Sequence, residues 1–505
     1  MPLAERPLVP LVAVVYLLGV VCIGLWARRR TRTTADFFVA GKRPGLAVIA
    51  LATMATAFSG FVFLGGPGLT YRLGFGAFFI FLSVGYTPTL LTRVAGRPLR
   101  ALAERGEIYT LSDALAARFD SRRLGGVVAV AVLLGSVAYV GTQLKALGVL
   151  LASVLGWDGG GALGPTAATL LGLAVVLLYS VGGGMLGGLY ADVFQGLLMM
   201  LAAVAVFVHA ISATGGPAAA AAALAADGRF GASFLDPLGR IPAATAFGWL
   251  LVFGVGVLGQ PQMLHKFFMI REPRQLERLP FVLGTAQGVC LLVWIGLGVA
   301  VPALVAQGHL APLGAPDEAA PAYLLAVAPD WLAGLVLAGA LAAIMSTANS
   351  FLVLAAGALV RDLPRGLGRS GASSLAGPRL ATVVVALAAA LLAERWNDLI
   401  ALLGSFSFGL LAASLTPVIA LGLHWRRVGA RAAEASIWTG LAVDLGLETA
   451  SRLSAFPSGL VSGGVPAPAV ALLASFAVLL AFAAAGTDRA RPGGPWDLGP
   501  GPRLR

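Results

Sequence analysis

Long apolar runs, separated by short polar or arginine-rich stretches, recur along the whole 505-residue chain. A bilayer-spanning helix needs about 20 mostly apolar residues. Runs of that length predict thirteen spans, near residues 8–26, 45–70, 73–95, 122–152, 165–184, 187–211, 242–262, 278–305, 322–359, 378–395, 398–423, 433–453 and 467–486. Strand-like alternation is absent, so a membrane barrel is not expected. The segments 122–152 and 322–359 exceed one bilayer and are expected to include flanking interfacial helix.

Two spans carry unusual punctuation. Span 2 reads ATMATAFSGFVFLGGPGLTYRLGFG, and span 7 reads GWLLVFGVGVLGQPQMLHKFF. Gly and Pro inside a membrane helix release backbone carbonyls, which is tolerated only against protein or a wet cavity. The two lie five spans apart. Spans 2–6 and 7–11 therefore predict two five-helix repeats, the second inverted, with a transport site at the paired breaks. Glycines that merely allow close helix packing are the alternative.

Composition agrees with a membrane protein: 58% of residues are hydrophobic and 11% charged, against roughly 25% charged in a soluble domain. The net charge of +12 does not point to nucleic acid, because the arginines cluster between the apolar runs. Arg-rich loops follow spans 1 (RRRTR), 3, 7, 9, 11 and 13, whereas WDGGGALGP, ERWND and the 307–321 loop are poor in Arg and Lys. The short loop after span 5 is the exception. This alternation predicts an N-terminus outside and a cytoplasmic C-terminus. The first run is too long for a signal h-region, ends in arginines and lacks an A-x-A site, so it reads as a retained span. Cys22 and Cys290 both lie in apolar runs and support neither a disulfide framework nor a zinc cluster. Abundant Ala, Gly and Arg with scarce Lys fit a GC-rich bacterial gene. The outside loop 212–241 contains an alanine run expected to form a small surface helix.

The stretch LAAIMSTANS, residues 341–350, places Ser346, Thr347, Asn349 and Ser350 inside span 9. A hard cation such as sodium prefers oxygen ligands. Hydroxyls supply oxygen without full charge, and broken-helix carbonyls supply more. Ser346 follows Ala343 by three residues, so its hydroxyl and the Ala343 carbonyl can share a helical face. Back-bonding of Ser and Thr to their own helix is the alternative.

Several motifs together resemble the sodium:solute symporters, the family of the sodium/proline and sodium/glucose cotransporters. They are DFFVAGKRPG before span 2, SGFVFLGGPG within it, YSVGGGMLGGLYADVFQG across spans 5 and 6, GQPQMLHKFFMIRE at the end of span 7, LAGALAAIMSTANSFLVLAAGALVRDL in span 9 and PVIALGLHWRR closing span 11. The resemblance covers roughly residues 35–425. It implies an all-α membrane protein with a LeuT-type five-plus-five inverted repeat. Residues 1–34 would be a leading helix and basic loop, 35–211 the first repeat and 212–241 an extracytoplasmic loop. Residues 242–425 would form the inverted repeat, and 426–505 two peripheral helices with a short tail.

By the same resemblance, sodium would be held by the carbonyls of Ala55, Phe58 and Ala343 and the hydroxyls of Ser346 and Thr347. Asp192 matches an acidic position linked to sodium coupling; an interfacial carboxylate at a helix start is the alternative. Ser59, Gly60, Tyr139, Phe253, Val257, Gln260 and Pro261 match solute-site positions. The proline branch carries Trp and Tyr where this chain has Phe253 and Val257, and Asp where it has Ala57, which leaves this cavity more apolar.

Lys145 is one of three lysines and lies well inside span 4. Charges there usually face a cavity or a partner. It fits a counter-charge for a solute carboxylate, a fixed charge that alters ion coupling, or a lysine that snorkels to the surface.

The expected function is a sodium-coupled secondary active symporter that imports a small organic solute, a monocarboxylate or amino acid, by alternating access. Proton-coupled or uncoupled transport on the same fold, or a membrane sensory module, are the alternatives. A sensor would carry a long cytoplasmic domain, whereas the chain ends about twenty residues after span 13. An enzyme would need converging His, Cys or carboxylate groups. His265 and His424 are expected in basic loops and His209 near the outer end of span 6.

Overall fold

The computed structural model describes residues 6, 8–30, 44–155, 157, 164–370, 376–395, 399–452 and 464–486. Residues 31–43, which hold the end of RRRTR and most of DFFVAGKRPG, residues 396–398 of ERWND and the tail after span 13 lie outside the described residues. Within them the regular elements are helices. They are α1 (Leu8–Arg30), α2 (Leu46–Ala57), α3 (Gly66–Leu73), α4 (Thr87–Leu90), α5 (Arg97–Arg105), α6 (Leu111–Phe119), α7 (Arg122–Leu155), α8 (Pro165–Ala213), α9 (Pro217–Ala226) and α10 (Ala243–Gly254). They continue as α11 (Pro261–Met269), α12 (Leu279–Ala306), α13 (Ala319–Ala326), α14 (Asp330–Gly357), α15 (Leu363–Gly366), α16 (Ala376–Arg395), α17 (Ile400–Pro417), α18 (Ala430–Arg452) and α19 (Ala467–Ala485).

Both expected breaks are present. Span 2 stops as an α-helix at Ala57 and resumes through a π-turn, Phe61–Gly65, into α3. Span 7 ends α10 at Gly254, passes through a 3₁₀ turn at Gly256–Gly259, and restarts at Pro261 as α11. Phe58 (φ −98°, ψ 98°) and Gln260 (φ −89°, ψ 100°) hold the two extended joints. Backbone groups at these breaks find other partners, as burial in a membrane requires. The Gly60 N–H donates to Gln143 Oε1 at 3.0 Å, and the Gly256 carbonyl accepts from Thr416 Oγ1 at 3.3 Å.

Ten helices among the described residues are long and apolar enough to cross a bilayer, against thirteen expected. The expected spans 45–70 and 73–95 together contribute one candidate, Phe61–Gly85, and 165–184 and 433–453 contribute none. The break isolates α2 at 12 residues. Residues 74–96 form a chain of short 3₁₀, α and π turns, because Gly74 adopts a positive φ of 74° and Pro88 interrupts the ladder. Glu434, Asp444 and Glu448 lower the apolarity of α18. The expected spans 165–184 and 187–211 are joined in α8, 49 residues of unbroken helix. The joining stretch is rich in glycine but has no proline, so no backbone donor is lost.

At the centre lies α14. Every residue from Val336 to Ala358 is buried, with α8, α7, α1, α2 and α16 packed around it. A helix enclosed on all sides has no wet face. Its Ser346, Thr347, Asn349 and Ser350 therefore find partners inside the protein or go without.

Candidate functional site

The last turn of a helix leaves carbonyls without intrahelical donors. In α2 two of them face α14. Ser346 Oγ donates to the Ala55 carbonyl at 2.8 Å and lies 3.1 Å from the Ala343 carbonyl. Thr347 Oγ1 donates to the Thr56 carbonyl at 3.3 Å. Ser346 and Thr347 are fully buried. Ala55, Ala343 and Ser346 thus converge as three oxygens, Thr347 sits one position along the same seam, and Phe58 occupies the extended joint beside it. An uncharged, oxygen-only cluster suits a hard monovalent cation. The hydroxyls bond across to α2, and only Ser346 also bonds within its own helix, so simple back-bonding does not describe the pair. Asn349 Nδ2 and Ser350 Oγ find no hydrogen-bond partner among the described residues.

Asp192 lies apart from this oxygen cluster. Its Oδ2 is 2.7 Å from Lys266 Nζ on α11, and both side chains are at most 1% exposed. Residues 188, 192 and 196 share one face of α8. A Cβ on Gly188 would meet Asn349 Nδ2 at 2.5 Å, and one on Gly196 would meet the Ala55 side chain at 3.5 Å. Asp192 therefore sits at the seam between α2 and α14, clamped from the second half of broken span 7. His265, expected in a loop, is buried on α11 with Nε2 2.8 Å from the Tyr109 carbonyl. The helix α11 runs to Met269, about two turns beyond the expected end at 262.

On the other side of the Phe58 joint is a cavity of about 80 Å³. Tyr139, Phe253 and Val257 line it, together with Ala57 and Phe58. Ser59, Gly60, Lys145, Gln260 and Pro261 are not among its lining residues. Gly60 is a packing glycine: a Cβ there would lie 2.7 Å from Ala146 and 2.8 Å from Ile344. Ser59 Oγ accepts from the Phe61 N–H at 3.2 Å and so caps the π-turn. Gln260 ties the second break to α17 through its Nε2, 3.0 Å from the Phe408 carbonyl. The cavity also takes in Ser83, Thr87, Gln287, Trp294 and Phe408, outside the quoted motifs, and Phe61 and Gln262, which lie within them but are not among the expected solute positions. Gln287 was visible in the sequence as a lone amide in an apolar run. The aromatic wall was not, since helix packing accounts for Phe and Trp equally well.

Lys145 is half-buried on α7 and is among the charges acting on Asp317. Asp317 belongs to the short turn Pro316–Glu318, which presses on α3: a Cβ on Gly68 would meet the Pro316 carbonyl at 2.6 Å. Asp317 Oδ2 accepts from the Ile400 N–H at 2.8 Å, at the start of α17. Burial raises its carboxyl from 3.8 to about 6, opposed by the Ile400 N–H and by Lys145. Lys145 thus belongs electrostatically to the loop that covers α3.

Residues 37–440 match the sodium:solute symporter family. The chain is 28% identical over 446 residues to the sodium/pantothenate symporter of Escherichia coli (strain K12), covering 86% of this chain and 88% of that one. It is 26% identical over 436 residues to the sodium/proline symporter of the same strain, covering 84% and 85%. Its fold superposes on a Na+-coupled sialic acid symporter in a substrate-bound outward-open state, with a TM-score of 0.73 at 19% identity over 94% of this chain and 98% of that one. A nucleobase-cation-symport-1 family transporter superposes with a TM-score of 0.55 at 15% identity, over 90% and 95%. The helical architecture with two broken spans is that of the LeuT-type transporters.

Proposed function

Because the chain belongs to the sodium:solute symporter family, we propose that its ion binds at the carbonyls of Ala55, Phe58 and Ala343 and the hydroxyls of Ser346 and Thr347. The protein is a multi-pass, sodium-coupled solute symporter, and a transporter rather than an enzyme. The observation that carries the ion site is Ser346 Oγ, within 3.1 Å of carbonyls from two helices.

Coupling follows from adjacency. The solute occupies the cavity on the far side of the Phe58 joint. Ala57 and Phe58 line that cavity, while Ala55 and Thr56, one turn earlier, meet α14. An ion drawing α2 onto α14 fixes the conformation of the joint and with it one wall of the solute site. The solute in turn favours the joint that the ion needs, a reciprocity required by linkage. Alternating access then uses the two breaks as hinges, with α3 and α11 moving relative to α14.

Asp192 acts as a positioning residue rather than as a direct ligand. A second cation at its carboxylate would lie beside the Lys266 ammonium and be repelled by it. Tyr139, Phe253 and Val257 contact the solute, while Ser59, Gly60, Gln260 and Pro261 shape the two breaks around it. The paired broken spans support an inverted pair of units, at 35–211 and 242–425, the first with its last two expected spans joined in α8. The arginine-rich loops support an N-terminus outside and a cytoplasmic C-terminus, in the inner or plasma membrane of a bacterium.

Purified protein in proteoliposomes tests the reading. Radiolabelled sodium exchange is expected in wild type and reduced at least tenfold in Ser346→Ala/Thr347→Ala. Equal exchange in the two proteins would contradict it.

A further inference from the structure

The polar lining of the cavity has a definite sense. Gln262 is 2% and Gln287 4% exposed, and the Oε1 of each has no hydrogen-bond partner among the described residues. Buried acceptors left unpaired are costly. The orientation of Gln262 follows from its neighbours. Gln260 Nε2 donates to the Phe408 carbonyl at 3.0 Å and approaches the Gly256 carbonyl at 3.4 Å. That turns Gln260 Oε1 toward Gln262 Nε2, 3.4 Å away. With its nitrogen engaged, Gln262 leaves its Oε1 as the unpartnered end of an amide in the cavity wall.

The surroundings are apolar and aromatic. Phe253 stacks between Phe61 (5.7 Å) and Phe408 (4.6 Å), and Trp294 meets Phe61 edge-on. Among the described residues no Asp, Glu, Lys, Arg or His lines the cavity. A charged solute would lose its water and find no counter-charge among these side chains. A carboxylate would also lie against the unpartnered Gln262 Oε1. An ammonium would suit that oxygen and the rings, yet its charge would lie across the Phe58 joint from a bound sodium. Ser83 and Thr87, which also line the cavity, add hydroxyls that can donate to a carbonyl. Acceptors and donors without charge match a molecule that offers both.

We propose that the transported solute is a small uncharged amide: an N–H donating to Gln262, a carbonyl accepting from Ser83 or Thr87, the Gln287 amide pairing with either group, and an apolar remainder against the Phe61–Phe253–Phe408 wall. A volume of about 80 Å³ takes roughly three water molecules at about 30 Å³ each, which limits the solute to a few heavy atoms in this conformation. The proposal rests on the sodium-symport reading and replaces the expected carboxylate with a neutral group.

The test uses full-length protein in lipid nanodiscs, with binding measured in sodium and in potassium chloride. The probes are propionamide and pyrrolidinone, against propionate and propylammonium. The neutral amides are expected to bind at least about tenfold tighter than either ion, and in sodium only. Gln262→Leu and Gln287→Leu are each expected to lose about tenfold in amide affinity. Gln287→Met keeps the side-chain length and substitutes if a leucine variant fails to fold. Tighter or equal binding of propionate or propylammonium overturns the proposal. So does absence of amide binding, or amide affinity unchanged in both Gln variants. Sodium-over-potassium stabilisation without solute reports the ion site separately. Its presence without amide selectivity removes only the solute class; its absence removes the sodium reading beneath it.

Discussion

Lys266 Nζ lies 2.7 Å from Asp192 Oδ2, with both side chains sealed from solvent. The pair links α11 to α8 across 74 positions of sequence. Burying two charges is expensive, and removing one partner leaves the other uncompensated.

The first prediction follows from that asymmetry. Lys266→Met and Asp192→Asn are each expected to destabilise the protein by about 3–5 kcal/mol, whereas the double substitution costs less than either. Thermal midpoints in detergent for the four proteins form the cycle. Additive losses would show that the two groups are not coupled.

Gly66 carries a second prediction. A Cβ at this position would lie 2.2 Å from Trp294 Cδ2, and Trp294 lines the solute cavity. The indole is also held by its Nε1, which donates to Thr70 Oγ1 at 2.9 Å. Gly66→Ala is therefore expected to cost about 1–3 kcal/mol by overpacking and to lower solute affinity more than sodium affinity. Equal losses in the two affinities would separate Trp294 from the solute site.

Asp317 gives a pH dependence with a defined sign. Its folded carboxyl is raised from 3.8 to about 6, chiefly by burial. The folded state therefore gains from the protonated form. That stabilisation is complete below 3.8 and is lost as the pH rises through about 6. Asp317→Asn keeps an acceptor for the Ile400 N–H without the charge. Its midpoint relative to wild type should rise between about pH 4 and pH 7 and then level off. A pH-independent difference would contradict the assignment.

Much of this was legible in the chain itself, for a physical reason. Polar or helix-breaking residues in an apolar run are exceptions that membrane burial makes costly, so SGFVFLGGPG, GQPQ and MSTANS stand out. The breaks at Phe58 and Gln260 and the seam at Ser346 lie where those exceptions stand. Relationships set by tertiary packing were not legible. Nothing local pairs Lys266 with Asp192, or brings the 316–318 turn within the field of Lys145. The joining of 165–184 and 187–211 into one helix was missed because glycine signals a turn in water, yet without proline it leaves the helical ladder intact. Gln262 and Gln287 obey the same rule as Ser346 and were readable, but the family motifs drew attention to their neighbours instead.

The central claim is that Ser346 and Thr347 hold the coupling ion against the end of α2. Sodium-dependent thermal stabilisation of the purified protein tests it most directly, because it requires no knowledge of the solute. Ligand binding to the folded state raises its stability by RT ln(1 + [L]/Kd). In wild type the midpoint should climb with sodium and stay flat with potassium. In Ser346→Ala the sodium response should shift to at least about tenfold higher concentration, a loss of about 1.4 kcal/mol in binding. An unchanged sodium response in Ser346→Ala and Thr347→Ala would contradict the account.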